Sequence, residues 1–308
     1  MNLLDASYCL LEELKRQRKE GRCDVFVNED TLSQLENALS SVAQPASTTE
    51  SSGQEKQYKD SDRFTKEVDP LSNSEPEVFA FPEKSSPTNL PDPPIFSLPE
   101  GDKKMQWEWL QKKVLGCEVC KQELNPNGNI VFGAGNLNAD IFFCGEAPGA
   151  EEERAGIPFV GPAGELLDKI IEAMGITRDS VYLGNVMNWR PRHNQAFGNR
   201  PPTQGEMSFC MPYLEGQINI VQPKVLVALG KTATDSLLGH DPKRRLSDCR
   251  GLWNEVKGVP LMVTYHPSYL LHNPSKMSKR KVWEDMLLVM EKLKMPVSKK
   301  QRGFFIQT

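Results

Sequence analysis

Four short apolar runs limit what this chain can become more than any other feature: "DIFFC" (140–144), "VYLGNV" (181–186), "KVLVAL" (224–229) and "PLMVTY" (260–265). None alternates with polar residues, which is the pattern of strands buried on both faces. Helical patterns follow them: "PAGELLDKIIEAMG", "TQGEMSFCMPYLEGQINIV", "KTATDSLLG" and "KRKVWEDMLLVMEKLK". Strand–helix alternation of this kind calls for parallel strands with helices on both faces. The expectation is an α/β fold, a three-layer αβα arrangement with a central four-stranded parallel sheet, over residues 105–295. A length of about 190 residues is sufficient for one such domain with a full core.

The flanking segments read differently. Residues 41–104 are rich in Ser, Pro and charge, with no sustained period. They cannot bury enough apolar surface to offset their ordering entropy, so a disordered linker is expected. Residues 1–40 begin with an amphipathic helical pattern, with Leu3, Leu4, Leu10, Leu11 and Leu14 on one broad face suited to a protein partner. Residues 296–308 read as a basic flexible tail. Residues 1–100 carry 19 acidic and 10 basic side chains, against 22 and 27 in the remainder. Such asymmetry hints at a nucleic-acid partner, although the basic excess by itself is ordinary surface charge. No apolar run approaches the ~18 residues of a membrane span. Seven cysteines without a secretory signal point to a reducing compartment, hence a cytoplasmic protein.

In open parallel sheets ligands lie beyond the carboxyl ends of the strands. Here those ends carry Gly145-Glu146-Ala147-Pro148-Gly149, Asn185 to Arg190, Gly230-Lys231-Thr232 and His266-Pro267-Ser268. A carboxylate, an amide, a glycine-led helix start and an imidazole thus gather on one edge. That set suits a hydrolytic or binding cleft better than a metal centre.

Four segments in register carry a family resemblance: "GEAPGAEEERAGIPFVGPAGELLD", "NVMNWRPRHNQAFGNRPPTQGEMSFCMPYL", "PKVLVALGKTA" and "HPSYLLHNPSK". Together, over residues 112–293, the chain resembles a family 4 uracil-DNA glycosylase. The resemblance implies a monofunctional DNA glycosylase of base excision repair, acting on uracil-containing DNA and leaving an abasic site. No cofactor is needed for that catalysis. Such an enzyme extrudes the base, reads its Watson–Crick edge and stabilises developing charge. By resemblance, Phe159 stacks on the flipped base and Asn185 reads its edge, with Ala147 in the turn beside them. His266 is matched to the catalytic histidine, facing uracil O2. Glu146 and Glu152 are the carboxylates for the sugar cation or its water, whereas Glu151, Glu153 and Arg154 form a solvated rim. Gly230, Lys231, Thr232 and Ser268 are expected on DNA phosphates. Tyr269, Leu270 and Leu271 form an apolar tip entering the duplex, with "KRRLSDCR" (243–250) and "KMSKRK" (276–281) as basic flanks. Two other readings fit the same residues: a module that binds uracil-containing or damaged DNA without cleaving it, and a glycosylase with another range of deaminated bases.

Many members of the resembled family hold a [4Fe–4S] cluster through four cysteines. Cys117, Cys120 and Cys210 match three of them, but Trp189 stands at the third ligand position. Three thiolates could leave an open iron site, Cys144, Cys249 or His193 could substitute, or the tryptophan could fill the cluster's space.

Overall fold

The structure is a computed structural model and describes residues 90–192 and 199–306. The expected helix of residues 1–40, the linker as far as residue 89, and His193 with most of the "RHNQAFG" stretch lie outside the described residues.

All four apolar runs form strands within a residue or so of the expected bounds: β2 (Ile141–Gly145), β3 (Tyr182–Asn185), β4 (Val225–Leu229) and β6 (Val259–Thr264). They pair in parallel in the order β3-β2-β4-β6. Two short antiparallel edge strands, β1 (Ala134–Gly135) beside β3 and β5 (Trp253–Val256) beside β6, widen the expected four strands to six. Neither was evident in the sequence. β1 has only two residues, and β5 is half-exposed and therefore lacks an unbroken apolar run.

Successive side chains of the inner strands point to opposite faces, so the sheet divides two cores. Phe142, Tyr182, Leu226, Ala228, Leu261 and Val263 face one side. There they meet Leu110 and Val114 of α1 (Lys103–Leu115) and Tyr213 and Leu214 of α5 (Gln204–Val221). Ile141, Phe143, Leu183, Val225, Val227 and Met262 face the other. That core is closed by Leu167 and Ile171 of α4 (Pro162–Ala173), and by Trp283, Met286, Val289 and Met290 of α9 (Lys276–Lys292). Each fully buried side chain of this size contributes roughly 1.5–3 kcal/mol, so both faces are committed to packing and chemistry is left to the strand ends. Three short helices, α3 (Ala150–Ala155), α6 (Gly230–Leu238) and α8 (Pro267–His272), start at those ends. Three further ones, α2 (Glu118–Gln122), α7 (Leu246–Cys249) and α10 (Lys299–Arg302), lie elsewhere.

Both flanking expectations need correction where they can be compared. The last part of the linker is not loose: Leu90, Phe96 and Leu98 pack against the core, and Phe96 stacks on Tyr213 with ring centres 5.7 Å apart. Sparse apolar residues suffice when a neighbouring helix pair offers a groove. The carboxyl-terminal segment is anchored as well. Gln301 accepts a 2.6 Å bond from Trp283 Nε1 through its carbonyl and donates from Nε2 to the Ala173 carbonyl at 2.9 Å, while Phe304 packs beside Trp283.

Candidate active site

The carboxyl ends of β2, β3, β4 and β6 surround a cavity of about 630 Å³, lined among others by Glu146, Ala147, Phe159, Asn185, Thr232 and His266. Parallel pairing brings the ends of β2 and β3 together, since Gly145 and Asn185 are register partners. A Cβ on Gly145 would lie 2.4 Å from Asn185 Oδ1 and 2.7 Å from Phe159 Cζ. Only glycine lets the amide and the aromatic ring approach each other over the strand end. The Phe159 ring also faces His266, with centres 6.3 Å apart and planes 29° from parallel.

His266 follows β6 by two residues and caps α8. Its Nδ1 accepts a 3.2 Å bond from the Ser268 backbone N–H and lies 2.7 Å from Ser268 Oγ. Burial pushes the imidazole down to about 4, so the ring is neutral near pH 7. With Nδ1 serving as acceptor, the proton of the neutral ring sits on Nε2. Gly230, at φ 89°, lets β4 pass close to this histidine; a Cβ there would lie 3.2 Å from His266 Cβ.

The two expected catalytic carboxylates differ sharply. Glu146 accepts a short bond from Thr232 Oγ1 and otherwise faces the cavity. Burial raises its pKa, opposed in part by that bond. Glu152 is committed to the backbone: Oε2 accepts from Gly149 N–H at 3.0 Å, and Oε1 accepts from Val160 and Gly161 N–H at 3.0 and 2.8 Å. It ties the start of α3 to the loop carrying Phe159.

Several expected positions are placed differently. Leu270 is buried, because one turn of α8 directs it inward beside Pro267; only Tyr269 and Leu271 remain exposed at the tip. Thr232, expected on a phosphate, donates its hydroxyl to Glu146 at the cavity wall. Lys231 pairs with Asp235 at 2.6 Å and also donates to the Asp241 carbonyl. Glu153 is no rim residue: it is buried, accepting from Asn125 Nδ2 at 2.7 Å and paired with Arg190. Within the basic flank 243–250, Arg244 pairs with Asp235 and Arg250 with the fully buried Asp285. Charge runs show composition, whereas their pairing is set by residues distant in sequence. Tyr265, Asn199 and His272 line the cavity without having been singled out, and Tyr265 stacks on Tyr269 at 4.5 Å. The adjacency of Tyr265 to His266 was the only available signal.

The cysteines do not fit a four-thiolate cluster. Trp189 is fully buried against Phe209, with ring centres 6.1 Å apart, and shares a core with Cys120 and Cys210. Among the described residues, no three His, Cys, Asp or Glu side chains form a group able to hold a metal ion.

Residues 132–287 match the family model described as the uracil DNA glycosylase superfamily. The chain is 41% identical over 182 residues to the Type-4 uracil-DNA glycosylase of Thermotoga maritima, covering 58% of this chain and 90% of that protein. It is 37% identical over 185 residues to the Type-4 uracil-DNA glycosylase of Sulfurisphaera tokodaii, covering 58% and 80%. The Type-5 uracil-DNA glycosylase of Pyrobaculum aerophilum is 28% identical over 159 residues, covering 47% and 68%.

Proposed function

The chain belongs to the type-4 branch of the uracil-DNA glycosylase superfamily, and from that premise we propose that it hydrolyses the N-glycosidic bond of uracil in DNA through the cavity at the strand ends. The observation that carries the residue assignment is the convergence of Phe159, Asn185, His266 and Glu146 on one cavity.

In this reading a flipped uracil stacks on Phe159, which contributes roughly 1–3 kcal/mol. The Asn185 carbonyl accepts uracil N3–H and its NH₂ donates to O4. Cytosine presents the reverse pattern and would leave both groups unpaired, at about 1–3 kcal/mol. As the N1–C1′ bond breaks, its electron pair leaves with the base. His266 Nε2–H then donates to O2, where the negative charge develops. A neutral donor serves this purpose, since it needs no proton from solvent. Glu146, aimed by Thr232, faces the cationic sugar and orients the water that adds to C1′; the proton this water sheds neutralises the departing uracil anion. Glu152 acts as a positioning residue rather than on water, because its oxygens already accept backbone N–H groups. The mechanism is monofunctional: Lys231, the one lysine at the strand ends, is engaged by Asp235. Tyr269 and Leu271 meet the duplex.

Catalysis so described uses no cofactor. We further propose that Trp189 replaces the iron–sulfur cluster as the core of its loop, which iron and sulfide analysis of the purified protein tests directly.

The function is tested by incubating the protein with a uracil-containing oligonucleotide and cleaving abasic sites with alkali. Free uracil and strand breaks are expected from the natural protein, falling about 10²–10³-fold in Glu146→Ala and His266→Ala. Uracil-DNA binding without base release would sink the assignment.

A further inference from the structure

Phe159 is in the left-handed backbone region, at φ 54°. A phenylalanine does not adopt that conformation unless its surroundings impose it. Gly164 of α4 packs against the same peptide so closely that a Cβ would fall 2.0 Å from Phe159 O. On the carbonyl side a single guanidinium holds two consecutive peptides. Arg178 Nη2 donates to Pro158 O at 2.6 Å, and Nη1 donates to Phe159 O at 2.9 Å. Nη1 also donates to Asp168 Oδ1 at 2.8 Å, which fixes the fork from α4. On the amide side Glu152 accepts from Val160 and Gly161 N–H. Four successive residues around the ring are therefore fastened from opposite sides.

We propose that Arg178, braced by Asp168, is a positioning residue for base excision: it imposes the strained backbone that presents the Phe159 ring to the flipped base. The proposal rests on the glycosylase reading above and adds to it a determinant outside the cavity. Arg178 lies in the one-turn 3₁₀ segment Arg178–Ser180 that leads to β3, and it is not among the residues lining the cavity. The Arg178 and Asp168 side chains are 31% and 35% exposed. A pair so exposed adds little to folding stability, so its location is better explained by geometry. Arginine suits the task because its planar fork reaches two carbonyls and a carboxylate together, whereas an ammonium has no such fixed spacing. Without the fork, the peptides at 158 and 159 can rotate towards ordinary backbone angles. The ring then turns away from His266 and Asn185, and the base loses its alignment with both.

The test measures single-turnover uracil release from a double-stranded oligonucleotide, with thermal melting recorded for every variant. Arg178→Ala is expected to slow the step about 10–100-fold, as misplacement of a reacting group by an ångström does, while melting stays near that of the natural protein. Arg178→Lys is expected to recover part of the loss. In a Phe159→Ala background, removing Arg178 is expected to have no further effect, because the ring it positions is absent. An undiminished rate in Arg178→Ala, with the natural protein active, would overturn the proposal alone. So would an equal loss in the Phe159→Ala background, or a loss that follows the melting temperature. No uracil release by the natural protein would overturn the glycosylase reading and this proposal with it.

Discussion

His266 has two nitrogens with different tasks, and the local fold assigns them. Its position as the N-cap of α8 makes Nδ1 an acceptor, leaving Nε2–H for the substrate. Burial that lowers its pKa to about 4 also makes folding pH-dependent. Between pH 4 and the ordinary histidine value near 6.5, the unfolded chain binds more protons here than the folded one. Stability therefore rises with pH across that window. Denaturant titrations at pH 4.5 and 7 are expected to differ less in His266→Gln than in the natural protein, by about 2 kcal/mol. An unchanged difference would mean that the ring is not held neutral. The acid limb of activity should also contain Glu146, whose carboxylate form is disfavoured by burial. The positions of His266, Asn185 and Glu146 were legible in the sequence because they follow or end strands, and that of Phe159 because it lies in a recognisable loop motif. The commitment of Glu152 to three N–H groups was not, since nothing in "AEEERAG" distinguishes a capping carboxylate from a catalytic one.

The loop between β3 and α5 is held by a buried tryptophan. Trp189 lies there in the same core as Cys120 and Cys210, fully buried, and its Nε1 has no hydrogen-bond partner among the described residues. An unpaired buried donor costs about 1–3 kcal/mol, so packing volume outweighs polarity at this site. Trp189→Cys is expected to lose about 3–5 kcal/mol in urea unfolding through the space it opens. Anaerobic addition of iron and sulfide should restore part of this if the three native thiols can still act as ligands. An iron content near four per chain in the natural protein would refute the proposed replacement. At α8 a period of 3.6 alone separates buried Leu270 from exposed Tyr269 and Leu271. The run "SYLL" shows apolarity, but its division between core and exposed tip depends on where the helix packs. In the same way β5 and β1 escaped notice because edge strands, paired on one side, need no continuous apolar pattern.

For the whole molecule, charge is distributed by segment. The relatives align with little more than the glycosylase domain, 58% of this chain, while the first 100 residues carry a net excess of nine acidic groups. We propose that this acidic region weakens binding to DNA by like-charge repulsion of the phosphates. Removing residues 1–89 is expected to tighten non-specific DNA binding at low salt, with the gain shrinking as salt rises. Equal affinities across a salt series would dispose of that idea. No helix among the described residues is long and apolar enough to cross a membrane. By itself the sequence determined the layered α/β architecture, because strands buried on both faces must be apolar throughout and helices between them must carry one apolar stripe. It also determined which residues occupy the strand ends. Only the tertiary structure decided what those residues do to one another: that Thr232 serves Glu146, and that Arg178 grips the backbone of Phe159. Contacts across tens of residues depend on how loops close over the sheet, and no local period or composition encodes that closure.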